Sequence, residues 1–336
     1  MSNVKILVTG NGFDLYHGLK TKYIDFVNYS KELITAEDKN RRKLAISNSF
    51  VQCFIKVASE NQSWIDCEKE IEIVVTMMLK LLNDKNVFSE NTHYIDKYNT
   101  SLASYEFEKL KLMPRFNQKP KSEYIFFYDR FFSTYQGINK SQVMDTLLRD
   151  LNDLIKIFEM YLKEKVSNDS VTELSKQIDD IKPDYIISFN YTNTYELYGI
   201  NRKNVCHIHG AVQDNNMVLG IRDIDEKNID SVYFKKFFQR IQKQSDVIQW
   251  DKFGSNTNEK TIAYFFGHSL SNNDGDIIND IYKNSHKIIV FYLKDFKDYE
   301  QKVINLIETL GKEVVIQGMY SGKITFEPIK NTIIRL

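Results

Sequence analysis

The chain has 336 residues, enough for one large domain or two, and its 45 Lys+Arg balance its 45 Asp+Glu, which gives no footing for bulk nucleic acid as a partner. No uninterrupted apolar run approaches the roughly 18 residues of a spanning helix, and the sequence opens on a strand pattern rather than a secretory leader, so no membrane is expected and the cytoplasm is the expected compartment. Cys53, Cys67 and Cys206 are isolated, which excludes a disulfide framework and a thiolate zinc site and leaves buried, reduced thiols; no metal is expected.

The first element is a short apolar strand, Val4-Lys5-Ile6-Leu7-Val8, which breaks into Gly10-Asn11-Gly12-Phe13-Asp14. A turn bringing backbone N–H groups close to a phosphate needs residues without a Cβ, and Gly10 and Gly12 meet that need. The third glycine of a dinucleotide fingerprint is missing at its usual spacing, so a tight strand-to-helix turn with Asp14 as a helix cap stands beside the phosphate reading. A helix is expected over 15–29, then a mainly helical region to about residue 166. Within it 70–82 is apolar on nearly every side, 124–132 is crowded with aromatics, and a helix from about Ser141 repeats Leu147, Leu151, Leu154, Phe158, Tyr161 and Leu162 on one face. Arg149, Asp150, Asp153, Lys156 and Glu159 make its solvated side.

From Pro183 short apolar runs alternate with helical segments, the pattern of a parallel sheet covered on both faces. Strands are expected at 185–189, 205–209, 218–221, 262–267, 287–293 and 313–317, and helices at 232–244, 274–283 and 295–310. The N-terminal strand has no neighbour nearby in sequence and is expected to join this later sheet. The fold class is therefore α/β, a parallel sheet with a large helical insertion: a discontinuous domain of 1–20 and 182–336, and a helical insert of 21–181.

Ligands of open parallel sheets bind beyond the carboxyl ends of the strands. Four polar segments follow apolar runs: Gly10 to Asp14; Phe189-Asn190-Tyr191-Thr192-Asn193; His207-Ile208-His209-Gly210; and Gly267-His268-Ser269-Leu270-Ser271-Asn272-Asn273-Asp274. Each has a structural explanation, as an Asx-turn, a core histidine or a helix cap. Their convergence on one edge would gather glycine turns, amides and an imidazole in one crevice, the expected active site. His207 and His209 lie two apart on one strand, so geometry leaves either free to face it.

The blocks NGFDLYHGLKTKYIDF, FNYTNTYE, HIHG and FGHSLSNNDGDII resemble the AbiH family of bacterial abortive-infection proteins, and their order resembles the wider sirtuin-like group. The resemblance spans nearly the whole chain and implies a sirtuin-like, Rossmann-type sheet with NAD as substrate or ligand. It places the dinucleotide on Gly10 and Gly12, the nicotinamide ribose beside Asn190 and His209, and the adenosine half against Gly267 and Ser269. It also tips the choice between the histidines to His209. Asn11, Phe13, Asp14, Asn193 and Asp274, from the same blocks, count with the nucleotide-contacting residues, Asp14 for a ribose hydroxyl or the base. The zinc-binding cysteine pairs of protein deacylases are absent, which disfavours lysine deacylation, and Asn11 and Phe13-Asp14 stand where deacylases carry small residues. Trp64-Ile65-Asp66-Cys67-Glu68 resembles a further AbiH feature, with packing of Trp64 or a Glu68 reaching the crevice as its two readings.

The implied function is that of an antiphage effector hydrolysing NAD at the nicotinamide–ribose bond, with Asn190 orienting ribose or water and His209 accepting a proton. A module that binds NAD or ADP-ribose without cleaving it, as a sensor, is the alternative. A nuclease would need a carboxylate cluster with Mg²⁺; Asp274 and Asp276 lie on the right edge, where helix capping also accounts for them. A phage-derived trigger and a homo-oligomer are the further partners such an effector would have.

Overall fold

The computed structural model describes residues 3–60, 66–83, 140–222, 229–250, 260–330 and 332–336. The chain divides into two compact units, one of Met1–Lys22, Leu162–Val218 and Arg240–Leu336, the other of Tyr23–Tyr161 and Leu219–Gln239. The expected aromatic segment 124–132 and the pair Trp64-Ile65 lie outside the described residues.

The strands of the first unit are β1 (Asn3–Thr9), β2 (Glu173–Ser175), β3 (Tyr185–Ser188), β4 (Val205–His207), β5 (Lys260–Phe266), β6 (Lys287–Tyr292), β7 (Ile324–Pro328) and β8 (Ile333–Arg335). Six of them form one parallel sheet in the order β4-β3-β1-β5-β6-β7, while β2 and β8 pair antiparallel as a small separate ribbon. The N-terminal strand does join the later sheet, between β3 and β5. Its sequence explains the central place: Ile6, Leu7 and Val8 are fully buried. Ile6 and Val8 pack on one face with Ile187, Ala263, Phe265 and Val290, and Leu7 on the other with Ile186, Phe266 and Ile289. A strand covered on both faces has to be apolar at successive positions, and each such side chain contributes about 1.5–3 kcal/mol. Thr9 is in register with both Ser188 and Phe266, and Ser188 with His207, so four neighbouring strands release their loops at one level.

Two of the six expected later strands are corrected. Residues 313–317 are helical, inside Lys312–Tyr320, and the sixth strand of the parallel sheet is β7 instead. A five-residue apolar run cannot be assigned by periodicity, and here Val315 alone of the run is buried while Gly318 lets Ile324 approach, so that an alanine Cβ at 318 would lie 2.5 Å from Ile324 Cδ1. Residues 218–221 form no strand; Ile221 makes an isolated bridge to Lys235, and the Gln239 side chain takes the ladder's place by accepting from Leu219 N at 3.2 Å and donating to Leu219 O at 2.9 Å. The helix expected over 15–29 is two, α1 (Asn11–Tyr16) and α2 (Tyr23–Ile34), separated at Gly18, whose φ of +80° ends a helix at no steric cost. The segment 232–244 begins as a 3₁₀ turn and becomes α-helical only over Lys236–Lys243.

The described residues of the second unit include α2, α3 (Lys39–Ser47), α4 (Ser49–Glu60), α5 (Cys67–Asn83) and most of a long Lys140–Lys165 helix. Leu147, Leu151, Leu154 and Phe158 of that helix are buried, and Phe158 meets Phe26 edge-on at 4.8 Å. Asp150, expected on the solvated side, is buried: its Oδ2 accepts from Ser49 N at 3.1 Å, an amide at the start of α4 with no partner inside the helix, and its carbonyl accepts from the Asn48 side-chain Nδ2 at 2.6 Å. Glu68 of α5 is paired with Lys236 at 2.9 Å, with both side chains largely buried. Among the described residues no helix is long and apolar enough to cross a membrane. The three cysteines are buried and none is in a disulfide, and burial pushes the Cys206 thiol up to about 12, so it is not poised as a thiolate.

Candidate functional site

Along the chain the parallel strands β1, β3 and β4 step one way across the sheet and β5, β6 and β7 step the other, so their order reverses between β1 and β5. The loops after β1, β3, β4 and β5 all leave the carboxyl edge around that reversal, the place where open parallel sheets bind their ligands. These are the four segments singled out in the sequence.

The glycines serve a different end from the expected phosphate cradle. Gly12 N donates to Gly267 O at 2.8 Å, and Gly10 N points at Phe266 O at 3.4 Å. A Cβ on Gly12 would stand 2.7 Å from Gly267 O, and one on Gly10 would stand 2.8 Å from His268 Cα. Both glycines are required because the β1 and β5 loops run against each other, and their N–H groups are directed at protein carbonyls. Phe13 is fully buried among core residues, edge-on to Phe266 at 6.0 Å. Asn11 is exposed at the start of α1.

Asp14, two per cent exposed, is neither cap nor free contact. The residue capping α1 is Gly10, and the Asp14 carboxylate accepts from Thr192 Oγ1 at 2.6 Å and Thr194 Oγ1 at 2.7 Å, with the Asn190 side chain donating to it as well. Burial raises its carboxyl to about 6 against these three donors, which oppose the rise. Because the folded value lies above the unfolded 3.8, the folded state holds this proton more tightly. Its contribution to stability is full below about pH 3.8 and is lost as pH climbs through about 6, some 3 kcal/mol in all. Urea unfolding of wild type and Asp14→Asn between pH 4 and 8 should show the wild type losing that margin relative to the variant as pH rises; parallel curves would refute the shift.

The two histidines of β4 and its turn divide their tasks. His207 Nδ1 donates to the Asn190 carbonyl at 3.0 Å, and burial lowers its basicity. His209 Nε2 lies 3.0 Å from Asp274 Oδ1, a close approach outside hydrogen-bond alignment. Asp274 starts the Gly275–Asn284 helix without using its side chain as a cap, so the carboxylate is directed at the imidazole rather than at its own helix. On its other side His268 Nε2 is 3.9 Å from Asp274 Oδ2. His268 Nδ1 accepts from Leu270 N at 2.9 Å, so neutral His268 carries its proton on Nε2, facing that carboxylate. The Phe189 ring touches both imidazoles, at 5.5 Å to His209 and 4.3 Å to His268. Asp276, the other acidic residue on this edge, is bound by Arg240.

The β5 loop is held by the Phe296–Leu310 helix. Lys302 Nζ donates to His268 O at 2.9 Å, Asn305 Nδ2 to Ser269 O at 2.8 Å and Thr309 Oγ1 to Leu270 O at 3.1 Å, three successive carbonyls pinned by one helix face. Ser269 itself is exposed, its hydroxyl accepting from Ser271 N at 3.3 Å. Asn193 precedes the 3₁₀ turn Thr194–Tyr198, and its carbonyl accepts from Asn168 Nδ2 at 3.1 Å. The structure thus brings Asn190 to Asp14, and His209 to Asp274 and His268. It leaves Phe13 in the core and Asn11 and Ser269 at the surface. His268 was not among the expected site residues, although an imidazole directly after Gly267 at a strand end was signal enough to include it.

The fold is an open parallel α/β sheet whose order reverses between β1 and β5, with Asp14, Asn190, His209, His268 and Asp274 on the loops that leave it there. Comparison gives the family: the chain belongs to the bacteriophage abortive infection family AbiH, whose model matches residues 6–293, and the family implies a role in phage abortive infection. None of the curated proteins and none of the solved structures matches it.

Proposed function

We propose that the parallel sheet is a sirtuin-like, Rossmann-type nucleotide-binding domain, and that the chain serves phage defence by hydrolysing NAD at the nicotinamide–ribose bond. The observation that carries this reading is the meeting of His209 with Asp274 on loops at the same sheet edge as the loop of Asn190. Support also comes from the strand order, which counted along the chain is 3-2-1-4-5-6, the order of doubly wound dinucleotide-binding sheets. The four loops themselves carry Asp14 and Asp274 and neither Lys nor Arg, and Lys302, which donates to the His268 carbonyl, has Asp298 at 3.7 Å as a counter-charge; the two loop carboxylates suit a cationic pyridinium and the oxocarbenium-like ribose left behind. Nicotinamide departs neutral and needs no acid. Water adds to the ribose carbon while His209 takes its proton, a general-base contribution of about 10²–10⁴ in rate, and Asp274 stabilises the imidazolium that forms.

The test is intracellular NAD in cells expressing wild type, Asn190→Ala or His209→Ala at matched protein level, before and after challenge with a restricted phage. NAD should fall with wild type alone. NAD that holds steady while protection persists and still requires both residues would end the hydrolase reading and make the crevice a ligand sensor.

A further inference from the structure

Asn190 carries an imbalance. Its side-chain oxygen is buried with no hydrogen-bond partner, while the residue as a whole is six per cent exposed. An orphaned buried acceptor costs about 1–3 kcal/mol, so its orientation needs a cause. The cause is Asp14. An ionised carboxylate only accepts, and its surroundings supply donors from the loop after β3: Thr192 Oγ1 at 2.6 Å, Thr194 Oγ1 at 2.7 Å and the Asn190 side chain. The carboxamide end facing Asp14 is therefore Nδ2, and the end left over is Oδ1. The backbone of Asn190 is fixed separately, its carbonyl accepting from His207 Nδ1 at 3.0 Å and its N–H donating to Ser188 Oγ at 3.2 Å, so the side chain turns on a clamped stem.

We propose that Asp14 is a positioning residue that locks the Asn190 carboxamide with Nδ2 on the carboxylate and Oδ1 presented as the acceptor for a hydroxyl of the ligand. This deepens the NAD reading, on which the identity of that hydroxyl rests, but the lock itself does not depend on it. A neutral isostere removes the lock: the amide of Asp14→Asn offers both a donor and an acceptor, and Asn190 can then sit either way round.

The test has a spectroscopic and a kinetic arm. In protein labelled with ¹⁵N at asparagine, the Asn190 side-chain amide signal, identified by its loss in Asn190→Ala, should move with pH around a midpoint of about 6 in wild type and stay still in Asp14→Asn. The other titratable groups on the facing loops, His207, His209, His268 and Asp274, are common to both proteins, so the difference isolates Asp14. Should Asp14→Asn fail to fold, Thr194→Val removes one donor and must raise that midpoint. A signal that ignores pH in wild type, or moves equally in Asp14→Asn, overturns the proposal. With NAD as substrate, Asp14→Asn should lower kcat about 10²-fold, as a misplaced group does, with KM within about threefold. A fall in KM-normalised binding with kcat kept would also overturn it. A wild type inert toward NAD, with the amide titration intact, would reject the NAD reading and leave the lock standing.

Discussion

Replacing Gly267 by alanine should remove about 3–5 kcal/mol of stability from the sheet unit, whereas the same change at Gly199 should cost only about 1 kcal/mol. Both glycines have left-handed backbones, with φ of +69° and +71°. They differ in what surrounds them: a Cβ at Gly199 meets no atom within 4 Å, while at Gly267 it would stand 2.0 Å from Phe13 N and 2.3 Å from Gly12 C. The backbone penalty is therefore common to the two variants, and the excess at Gly267 measures the cost of prising the β1 and β5 loops apart. Chemical denaturation of both variants gives the comparison. Equal losses would mean that the loops do not touch as described. Because His268 follows Gly267 directly and Asp274 closes the same loop, the variant should also lose the His209–Asp274 approach, so protection against phage should fall further than the unfolded fraction explains.

Lys236→Met should destabilise the helical unit by about 3–5 kcal/mol, and Lys236→Met combined with Glu68→Leu should recover most of that loss. Lys236 Nζ and Glu68 Oε2 are 2.9 Å apart, with side chains only 5% and 14% exposed. Removing the cation leaves a carboxylate with little water; removing both charges leaves apolar groups of similar size. Glu72, one turn further along α5, has Arg222 at 3.6 Å, and that second pair limits how far the double variant disturbs the helix face. Thermal or urea unfolding of the two single variants and the double variant completes the cycle. A double variant as unstable as Lys236→Met would show that packing around Lys236, not the stranded charge, sets the loss.

Much of the sheet was legible before any coordinates. Residues 185–188, 205–207, 260–266 and 287–292 are dense in Ile, Val and Phe because buried parallel strands have no polar face to advertise. β7 escaped notice for the opposite reason: Ile-Thr-Phe-Glu-Pro alternates, with Ile324 and Phe326 toward the core, and ends in a proline that an edge strand tolerates. Its neighbour Glu-Val-Val-Ile-Gln looks like a strand by composition and is a helix because one residue of the run, Val315, faces inward. The site divides in the same way. Polar residues directly after apolar runs marked the right four loops, since that relation is local. Which groups meet was not legible: Gly12 with Gly267, Asp14 with Thr192 and Thr194, and His209 with Asp274 are encounters that only the closed sheet creates.

The place of β1 in the middle of the sheet also sets a timetable. Thr9 waits for Ser188 on one side and Phe266 on the other, so the earliest strand to be made is among the last to be paired. At roughly 5–20 residues per second of synthesis, some 10–50 s separate the appearance of Thr9 from that of Phe266. Until then Asn190 lacks the β5 loop beside it and His209 lacks Asp274. The two acidic members of the site, Asp14 at the start of the chain and Asp274 beyond β5, are therefore brought to one sheet edge only when the last of the four loops has been made.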